Sequence, residues 1–302
     1  MSSTSLCNLC ARHCNVKRPE QFGSPDGTLG FCRMPANPVV ARAGLHFWEE
    51  PCISGQAGSG TVFFSGCNLR CVFCQNHEIS TGCRGKEISV DHLTQIYHQL
   101  IGQGANNINL VTPSHYIHAV AESLSKPLPV PVVYNTNAYE DISALKLLQG
   151  KIQIYLPDLK YALEEPAKRF SRAPDYFRIA TEAIMEMYRQ TGPYQMDESG
   201  ELLKSGVIIR HLVLPGHVQN SLRVIDWVAD HFQPGEVLFS LMRQYVPCAE
   251  AFNYPELSRK VSDEEYQLVE DHLFESGIED GFVQDAESSS KDFIPAFDGT
   301  GV

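Results

Sequence analysis

The sequence predicts an α/β protein built on a parallel sheet, with a cysteine-rich segment at its beginning. Short apolar runs alternate with amphipathic helical patterns along most of the 302 residues. Adjacent parallel strands need long connections of this kind to return to the same edge. Runs such as VPVVY at 130–134 are apolar on both faces, as expected of strands covered on both sides.

Six apolar runs and a shorter seventh are predicted to be buried strands. They span 61–65, 107–111, 131–135, 152–157, 207–213, 237–242 and 282–283. Helical spacing of apolar residues follows over 93–101, 117–124, 142–148 and 222–232. Ser262 and Glu265 are predicted to form a capping box that opens a further helix. This pattern does not decide between an open sheet and a barrel, but either places ligands at the carboxyl ends of the strands.

Three regions are predicted along the chain. Residues 1–60 are rich in Cys, Gly and Pro and show no sustained period, as expected of a cap organised by a bound metal. Residues 61–285 form the core, and residues 286–302 are expected to be a frayed tail. Residues 191–206 are a turn-rich insertion, expected to be a surface loop or a hairpin.

Composition excludes several classes of protein. The hydrophobic content of 43% is too high for a disordered chain, and the net charge of -12 disfavours a protein that binds nucleic acid through its phosphates. No apolar stretch approaches the roughly 20 residues of a spanning helix. The start, MSSTSLCNLCARHC, lacks the apolar core of a secretory signal, so a cytoplasmic protein is predicted.

The strongest chemical signal is a C-x3-C-x2-C motif that directly follows the first predicted strand. Three thiolates on one loop, from Cys67, Cys71 and Cys74, can hold three irons of a cubane cluster and leave the fourth iron open to a ligand. A zinc knuckle completed by a remote Cys or His is the structural alternative. The position at a strand end favours the cluster.

The segment GCNLRCVFCQN at 66–76 resembles the cluster loop of the radical S-adenosylmethionine (SAM) superfamily, and more narrowly that of pyruvate formate-lyase activating enzymes. The resemblance rests on the cysteine spacing, the aromatic Phe73, and the strand and helix pattern over 61–285. It implies a partial (β/α)6 barrel, a [4Fe-4S] cluster on Cys67, Cys71 and Cys74, and SAM on the open iron. Reduction would then cleave SAM to a 5′-deoxyadenosyl radical that abstracts hydrogen from a substrate.

The resemblance also implies partners and further residues near SAM. The partners are an electron donor such as flavodoxin or ferredoxin, and a glycyl radical enzyme as substrate. The residues are Phe73, Thr112, Asn135, Asn137, Asp158, Lys160 and Arg210. Ordinary alternatives stay open for three of them, since Phe73 is also a plausible core residue and Asn135 and Asn137 also fit a turn.

Polar residues at three predicted strand ends allow sharper expectations. Thr112 stands where activating enzymes have Gly-Gly-Glu, so only backbone carbonyls or hydroxyls can serve there. Asp158 and Lys160 are costly at the end of an apolar strand unless paired, which indicates either a functional site or a mutual salt bridge. Arg210 presents a planar fork that suits a carboxylate or a ribose, whereas His211 faces the other way and is expected to be structural.

The remaining cysteines form one group and three single residues. The group, Cys7, Cys10, Cys14 and Cys32, has enough thiolates for one zinc ion or one additional cluster, with free thiols as the alternative. Cys52, Cys83 and Cys248 are expected to be ordinary buried thiols.

Two classes of function compete. The first is a radical SAM oxidoreductase that acts on a glycyl radical enzyme or, alternatively, on a small molecule or another protein residue. The second is a non-catalytic metal or electron-transfer protein, which would bind clusters without turning over SAM. Only the first requires Asp158, Lys160 and Arg210 at the strand ends.

Overall fold

A computed structural model describes residues 6–25, 27–285 and 295–302 and organises them around a ten-stranded sheet. The strands are β1 (Val39–His46), β2 (Ser59–Phe64), β3 (Lys86–Glu87), β4 (Ile108–Val111), β5 (Val132–Thr136), β6 (Ile154–Pro157), β7 (Gln195–Met196), β8 (Leu203–Leu212), β9 (Leu238–Met242) and β10 (Gly281–Val283). Their order across the sheet is β10-β9-β8-β6-β5-β4-β2-β1-β3, and β7 pairs with β8.

The seven predicted strands are all present, and they run parallel to one another. β2, β4, β5, β6, β8, β9 and β10 pair in register as parallel neighbours. Their carboxyl ends therefore meet along one edge of the sheet, and the loops that follow them share one face of the molecule.

Nine helices connect and cover the strands within the described residues. They are α1 (Pro51–Ser54), α2 (His77–Ser80), α3 (Val90–Gly102), α4 (Ile117–Ser123), α5 (Ile142–Leu145), α6 (Glu164–Ser171), α7 (Tyr176–Thr191), α8 (Val218–His231) and α9 (Asp263–Glu275). The capping box of Ser262 and Glu265 opens α9 as predicted. Helices α3, α7 and α8 pack directly on the sheet. None of the described helices has the length and apolar content to cross a lipid bilayer.

The sheet curves without closing. Strands β10 and β3 are its two edges. Arg210 on β8 reaches past β6 to donate to Asn135 on β5 at 2.8 Å and also donates to Asp158 at the end of β6, so side chains from three adjacent strands meet on one face. The predicted fold class, an α/β partial barrel, is confirmed.

Residues 1–60, expected to be a cap without a sustained period, contain one long strand. Val39–His46 forms β1, which pairs antiparallel with β2 and places Ala43 opposite Val62. Val39, Val40 and Ala41 are buried in succession, so the start of this strand lacks the alternation that marks a strand covered on one face. Pairing with β2 stabilises it, and that partner is not visible in the local sequence.

The cap before β1 is held to the core by hydrogen bonds from arginine side chains to backbone carbonyls. Arg18 donates to the carbonyl oxygens of Met34 at 3.0 Å and of His115 at 2.5 Å. Cys10 forms an isolated antiparallel bridge with Glu140. The cap is therefore attached to the loops that follow β4 and β5.

The insertion at 191–206 is a hairpin, the second of its two predicted forms. β7 pairs antiparallel with the start of β8, with Met196 opposite Leu203.

The expectation of a frayed tail is wrong for residues 295–302, whereas residues 286–294 of the predicted tail lie outside the described part of the chain. The Gly299 amide donates to the Ala41 carbonyl at 3.0 Å, and the Ala43 amide donates to Thr300 at 2.9 Å. The Phe297 ring packs edge-on against Phe63 at 5.4 Å between centroids. The end of the chain therefore docks on β1 beyond its short pairing with β3.

Gly301→Ala should loosen this docking, because Gly301 has a φ of 74° and an added Cβ would lie 2.2 Å from the Ala43 carbonyl oxygen. We expect hydrogen exchange at the Ala43 amide to accelerate about tenfold, as measured by mass spectrometry or NMR. Gly299→Ala is the matched control, since its φ of 81° imposes the same strain but no atom lies within 4 Å of the added Cβ. Equal exchange rates in the two variants would contradict the docking.

Candidate active site

The inner face of the curved sheet changes from apolar to polar along its strands. Near the strand starts, Val133, Ile154 and Ile208 pack with Cys52 and Ile53 of α1, which fills the base of the concave face. Side chains alternate along a strand, so residues two or four positions further on point the same way. These later positions hold Asn135, Asp158 and Arg210, so the polar residues gather above an apolar base at the carboxyl edge.

A cleft with a cavity volume of about 250 Å³ lies at this edge. It is lined by all ten residues that the sequence placed near the cluster and SAM: Cys67, Cys71, Phe73, Cys74, Thr112, Asn135, Asn137, Asp158, Lys160 and Arg210. A larger cavity of about 490 Å³ lies near the strand starts, but it is lined by residues 124–132 and their neighbours and by none of these ten. Convergence of the predicted residues, rather than size, identifies the candidate site.

Gly66 allows the chain to turn from β2 into the cysteine loop. Its φ is 81°, and a Cβ at this position would lie 2.2 Å from the Met34 side chain and 2.9 Å from the Cys32 carbonyl oxygen. The Gly66 amide donates to the Ile79 carbonyl at 2.9 Å. Only glycine fits this approach of the cap to the loop, so the cap helps to position Cys67.

Each sulfur of the cysteine loop accepts a hydrogen bond. Cys67 accepts from the Leu69 amide at 3.3 Å and from Asn137 at 3.5 Å. Cys71 accepts from Ser171 at 2.9 Å. Cys74 accepts from Ser80 at 3.3 Å. Donors of this kind stabilise thiolates and tune the potential of a cluster that the thiolates bind.

The chemistry of this donor set fits an iron–sulfur cluster. All three cysteines are free thiols. Burial raises the pKa of Cys71 to about 11 and that of Cys74 to about 12, so both are neutral at pH 7 unless a positively charged group binds them. Within the described residues, no group of three or more His, Cys, Asp or Glu side chains has the geometry to hold a single metal ion.

The four cap cysteines lie near one another as free thiols. Burial raises the pKa of Cys10, and Cys32 and Cys7 are close enough to raise it further. Burial also raises the pKa of Cys32, with added contributions from Cys7 and Cys14. The four thiols are likewise not arranged around a single ion, so a metal in the cap stays a prediction.

A network of buried charges forms the floor of the cleft. Arg210 donates to Asp158 at 2.8 Å, to Glu49 at 2.6 Å and to Asn135 at 2.8 Å. Lys160 donates to the second oxygen of Asp158 at 2.6 Å. Burial raises the pKa of Asp158, but Arg210 and Lys160 outweigh it and hold that pKa below its ordinary value. The salt bridge between Asp158 and Lys160, which the sequence offered as the alternative to a functional role, is present. Both residues also line the cleft.

Three other residues expected near SAM have informative contacts in the structure. Thr112 has a φ of 58°, and its amide donates to the Asn135 carbonyl at 2.8 Å. Phe73 packs edge-on against Tyr245 at 6.0 Å, so it is both a core residue and a cleft residue. Asn137 donates to Asn68 at 2.7 Å and so braces the cysteine loop.

His211 is structural, as predicted. It is buried, and its ring nitrogens lie 2.7 Å from the Leu159 carbonyl and 2.8 Å from the Ser221 hydroxyl. Cys52 is buried as predicted, whereas Cys83 and Cys248 are partly exposed.

Sequence reasoning missed the end of β1 and the residues that follow it. His46, Trp48 and Glu49 line the cleft, and Glu49 accepts from Asn135 at 2.9 Å and from Asn109 at 3.1 Å. β1 runs antiparallel to β2, so the chain enters the concave face from the strand starts. The local sequence FWEEP does not predict that this segment enters the concave face, because two adjacent glutamates usually indicate a solvated turn.

Three comparisons with known proteins bear on the fold. No protein-family model matches the sequence. The chain is 29% identical over 271 residues to MJ0674, an uncharacterized protein of Methanocaldococcus jannaschii, and the alignment covers 86% of this chain and 72% of that protein. The crystal structure of HydG, a maturase of the [FeFe]-hydrogenase, aligns with a TM-score of 0.50 at 12% identity, over 78% of this chain and 53% of that one.

A further solved structure, Streptococcus suis SuiB bound to the precursor peptide SuiA, aligns with a TM-score of 0.48 at 14% identity. The alignment covers 73% of this chain and 46% of SuiB. This chain therefore spans about half the length of SuiB and of HydG. The chain shares the α/β fold of HydG. At this level of identity a shared fold does not specify activity or substrate.

Glu50, next to the floor of the cleft, should make stability depend on pH. It is 6% exposed, and its carboxylate accepts from Ser240 at 2.9 Å. Burial raises its pKa from 4.5 to about 7, so the folded state binds the proton more tightly than the unfolded state. The stabilising contribution is complete below about pH 4.5 and is lost as the pH rises to about 7.

Glu50→Gln keeps an acceptor for Ser240 but cannot ionise. Its free energy of unfolding should therefore exceed that of the unsubstituted protein by about 3 kcal/mol above pH 7 and equal it near pH 4. Urea unfolding at a series of pH values measures this difference. Glu198→Gln, in the exposed turn of the hairpin, is the control and should change nothing. Parallel curves for Glu50→Gln and the unsubstituted protein would show that Glu50 is ionised when folded.

Proposed function

We propose that the protein is a radical SAM oxidoreductase. The supporting observation is that Cys67, Cys71 and Cys74 line one cleft together with all seven residues expected near SAM. When bound, a [4Fe-4S] cluster and SAM would supply a 5′-deoxyadenosyl radical that removes hydrogen from the substrate. The donor set of the cysteine loop and the shared fold with HydG are consistent with this function.

In this proposal, different residues stabilise the cysteine ligands and bind SAM. Asn137, Ser171 and Ser80 donate to the cysteine sulfurs and so stabilise negative charge on them. Lys160 makes one hydrogen bond from its ammonium group among the described residues, to Asp158, and keeps further donors for a ligand carboxylate. Thr112 offers a hydroxyl in the cleft.

The substrate proposed on the sequence resemblance is a glycyl radical enzyme, whose backbone hydrogen would be abstracted at the cleft. A small molecule or a residue of another protein is the alternative, which the replacement of Gly-Gly-Glu around Thr112 keeps open. We also propose a flavodoxin or a ferredoxin as the electron donor and the cytoplasm as the location.

Anaerobic reconstitution with iron, sulfide, SAM and a chemical reductant should release 5′-deoxyadenosine and methionine, measured by liquid chromatography. Cys67→Ala, Cys71→Ala and Cys74→Ala should each reduce this release to background, because each removes an iron ligand. Cys52→Ala is the matched control, since the buried Cys52 thiol lies on α1 and packs against apolar residues below the cleft. A protein with an intact cluster that releases no 5′-deoxyadenosine would exclude the proposed function.

The substrate is tested separately by electron paramagnetic resonance. A candidate glycyl radical enzyme mixed with the reduced protein and SAM should develop a glycyl doublet, and Cys71→Ala should abolish it. Release of 5′-deoxyadenosine without a doublet in any candidate would instead favour a small molecule or another protein residue.

A further inference from the structure

Three arginines surround the cysteine loop, and each adjoins a residue in contact with it. Arg33 lies between Cys32 and Met34, which touch Gly66. Arg70 directly precedes Cys71 in the loop. Arg172 follows Ser171, whose hydroxyl donates to the Cys71 sulfur at 2.9 Å.

These three residues also share an uncommon backbone conformation. Their φ values are 61° for Arg33, 54° for Arg70 and 51° for Arg172. Arg33 and Arg172 are exposed, and Arg70 is half-buried. Within the described residues none of the three lines the cleft, although Leu69 and Cys71 on either side of Arg70 do. Their charges therefore lie outside the cleft, around the loop that holds the cysteines.

A fourth arginine joins the group through a shared aromatic ring. The Arg12 guanidinium lies 3.8 Å from the centroid of Phe31, and that of Arg70 lies 4.8 Å from the same centroid. Arg70 also donates to the Phe31 carbonyl at 3.1 Å, and Arg12 donates to the Ser171 carbonyl at 3.0 Å. Arg12, Arg33, Arg70 and Arg172 thus form one cluster, named here the arginine patch.

Among the described residues, no carboxylate balances the charge of the patch at close range. In the described part of the chain, no ion pair within 4 Å joins a patch arginine to a carboxylate. Two acidic side chains lie near the patch: Asp175, which is exposed three residues after Arg172, and Glu164, which accepts from the Asp175 amide at 3.2 Å.

We propose that the arginine patch is the docking surface for an acidic one-electron carrier protein. This inference rests on the proposed function, in which the cluster takes up one electron for each SAM cleaved. The reduced carrier would lose that one electron and the cluster would gain it, so no proton or group is transferred.

Charge selects both the partner and its orientation. The protein as a whole has a net charge of -12, so an acidic carrier is repelled by most of its surface and attracted to the patch. Docking there would place the carrier's redox group against the outer side of the cysteine loop. A nucleic acid is also anionic, but an extended polyanion meets the remaining negative surface, so a compact acidic protein fits better.

The test uses the cluster-loaded protein and an acidic flavodoxin. We expect Arg33→Glu combined with Arg172→Glu to weaken flavodoxin binding about tenfold or more at low salt and to slow cluster bleaching by reduced flavodoxin to a similar extent. Arg33→Lys with Arg172→Lys keeps the charge and should restore both. Calorimetry gives the binding constants, and stopped-flow absorbance gives the rates.

Lys126→Glu with Lys204→Glu is the matched control, because it makes the same change in charge at the cavity near the strand starts. Equal binding by the patch variant and this control would overturn the docking surface. So would a patch variant that loses affinity for transfer RNA while it keeps affinity for flavodoxin.

Reduction by photoreduced deazaflavin separates this inference from the proposed function. The patch variant should release 5′-deoxyadenosine at the unsubstituted rate with this small reductant. If the unsubstituted protein, with its cluster intact, releases none with deazaflavin, then the proposed function fails, whatever the binding data show. If the patch variant also releases 5′-deoxyadenosine slowly with deazaflavin, then the arginines stabilise the cysteine loop and do not act by binding a partner.

Discussion

The burial of the Arg210 guanidinium is the constraint on which the rest of the candidate site depends. A charge in this position is tolerated only when its partners are in place, and removing one partner of a buried pair costs about 3–5 kcal/mol. Its partners come from distant parts of the chain: Asp158 after β6, Asn135 on β5, and Glu49 after β1. One side chain thus ties together the curvature of the sheet, the path of the β1 loop and the polar floor of the cleft.

This network also determines what kind of ligand the floor can accept. Arg210 and Lys160 supply two positive charges, and Asp158 and Glu49 supply two negative charges that pair with them. The floor is therefore close to neutral while presenting both signs within a few ångströms. A ligand that has an amino group and a carboxylate, as the proposed SAM does, meets a partner for each.

The cysteine loop is held from above and below by segments far from it in sequence. Met34 and Cys32 of the cap close on Gly66, and Ser171 at the end of α6 donates to Cys71. The end of the chain adds a wall, because Pro295 lines the cleft and Phe297 packs on Phe63 of β2. The geometry of the loop is therefore a property of the whole fold, although its chemistry is local.

The features that depend on local pattern could be predicted from the sequence. The cysteine spacing, the seven parallel strands and the polar residues at their ends are all readable, because side-chain period and turn chemistry act over a few residues. Helix α7 was also readable but was missed: Tyr176, Ala180, Ala183, Ile184 and Met187 repeat with helical spacing and are buried. Long-range packing sets the positions of β1, of Glu49, of the docked chain end and of the arginines that form the patch. Each of these depends on a partner far along the chain, and the sequence around it is indistinguishable from that of an ordinary loop.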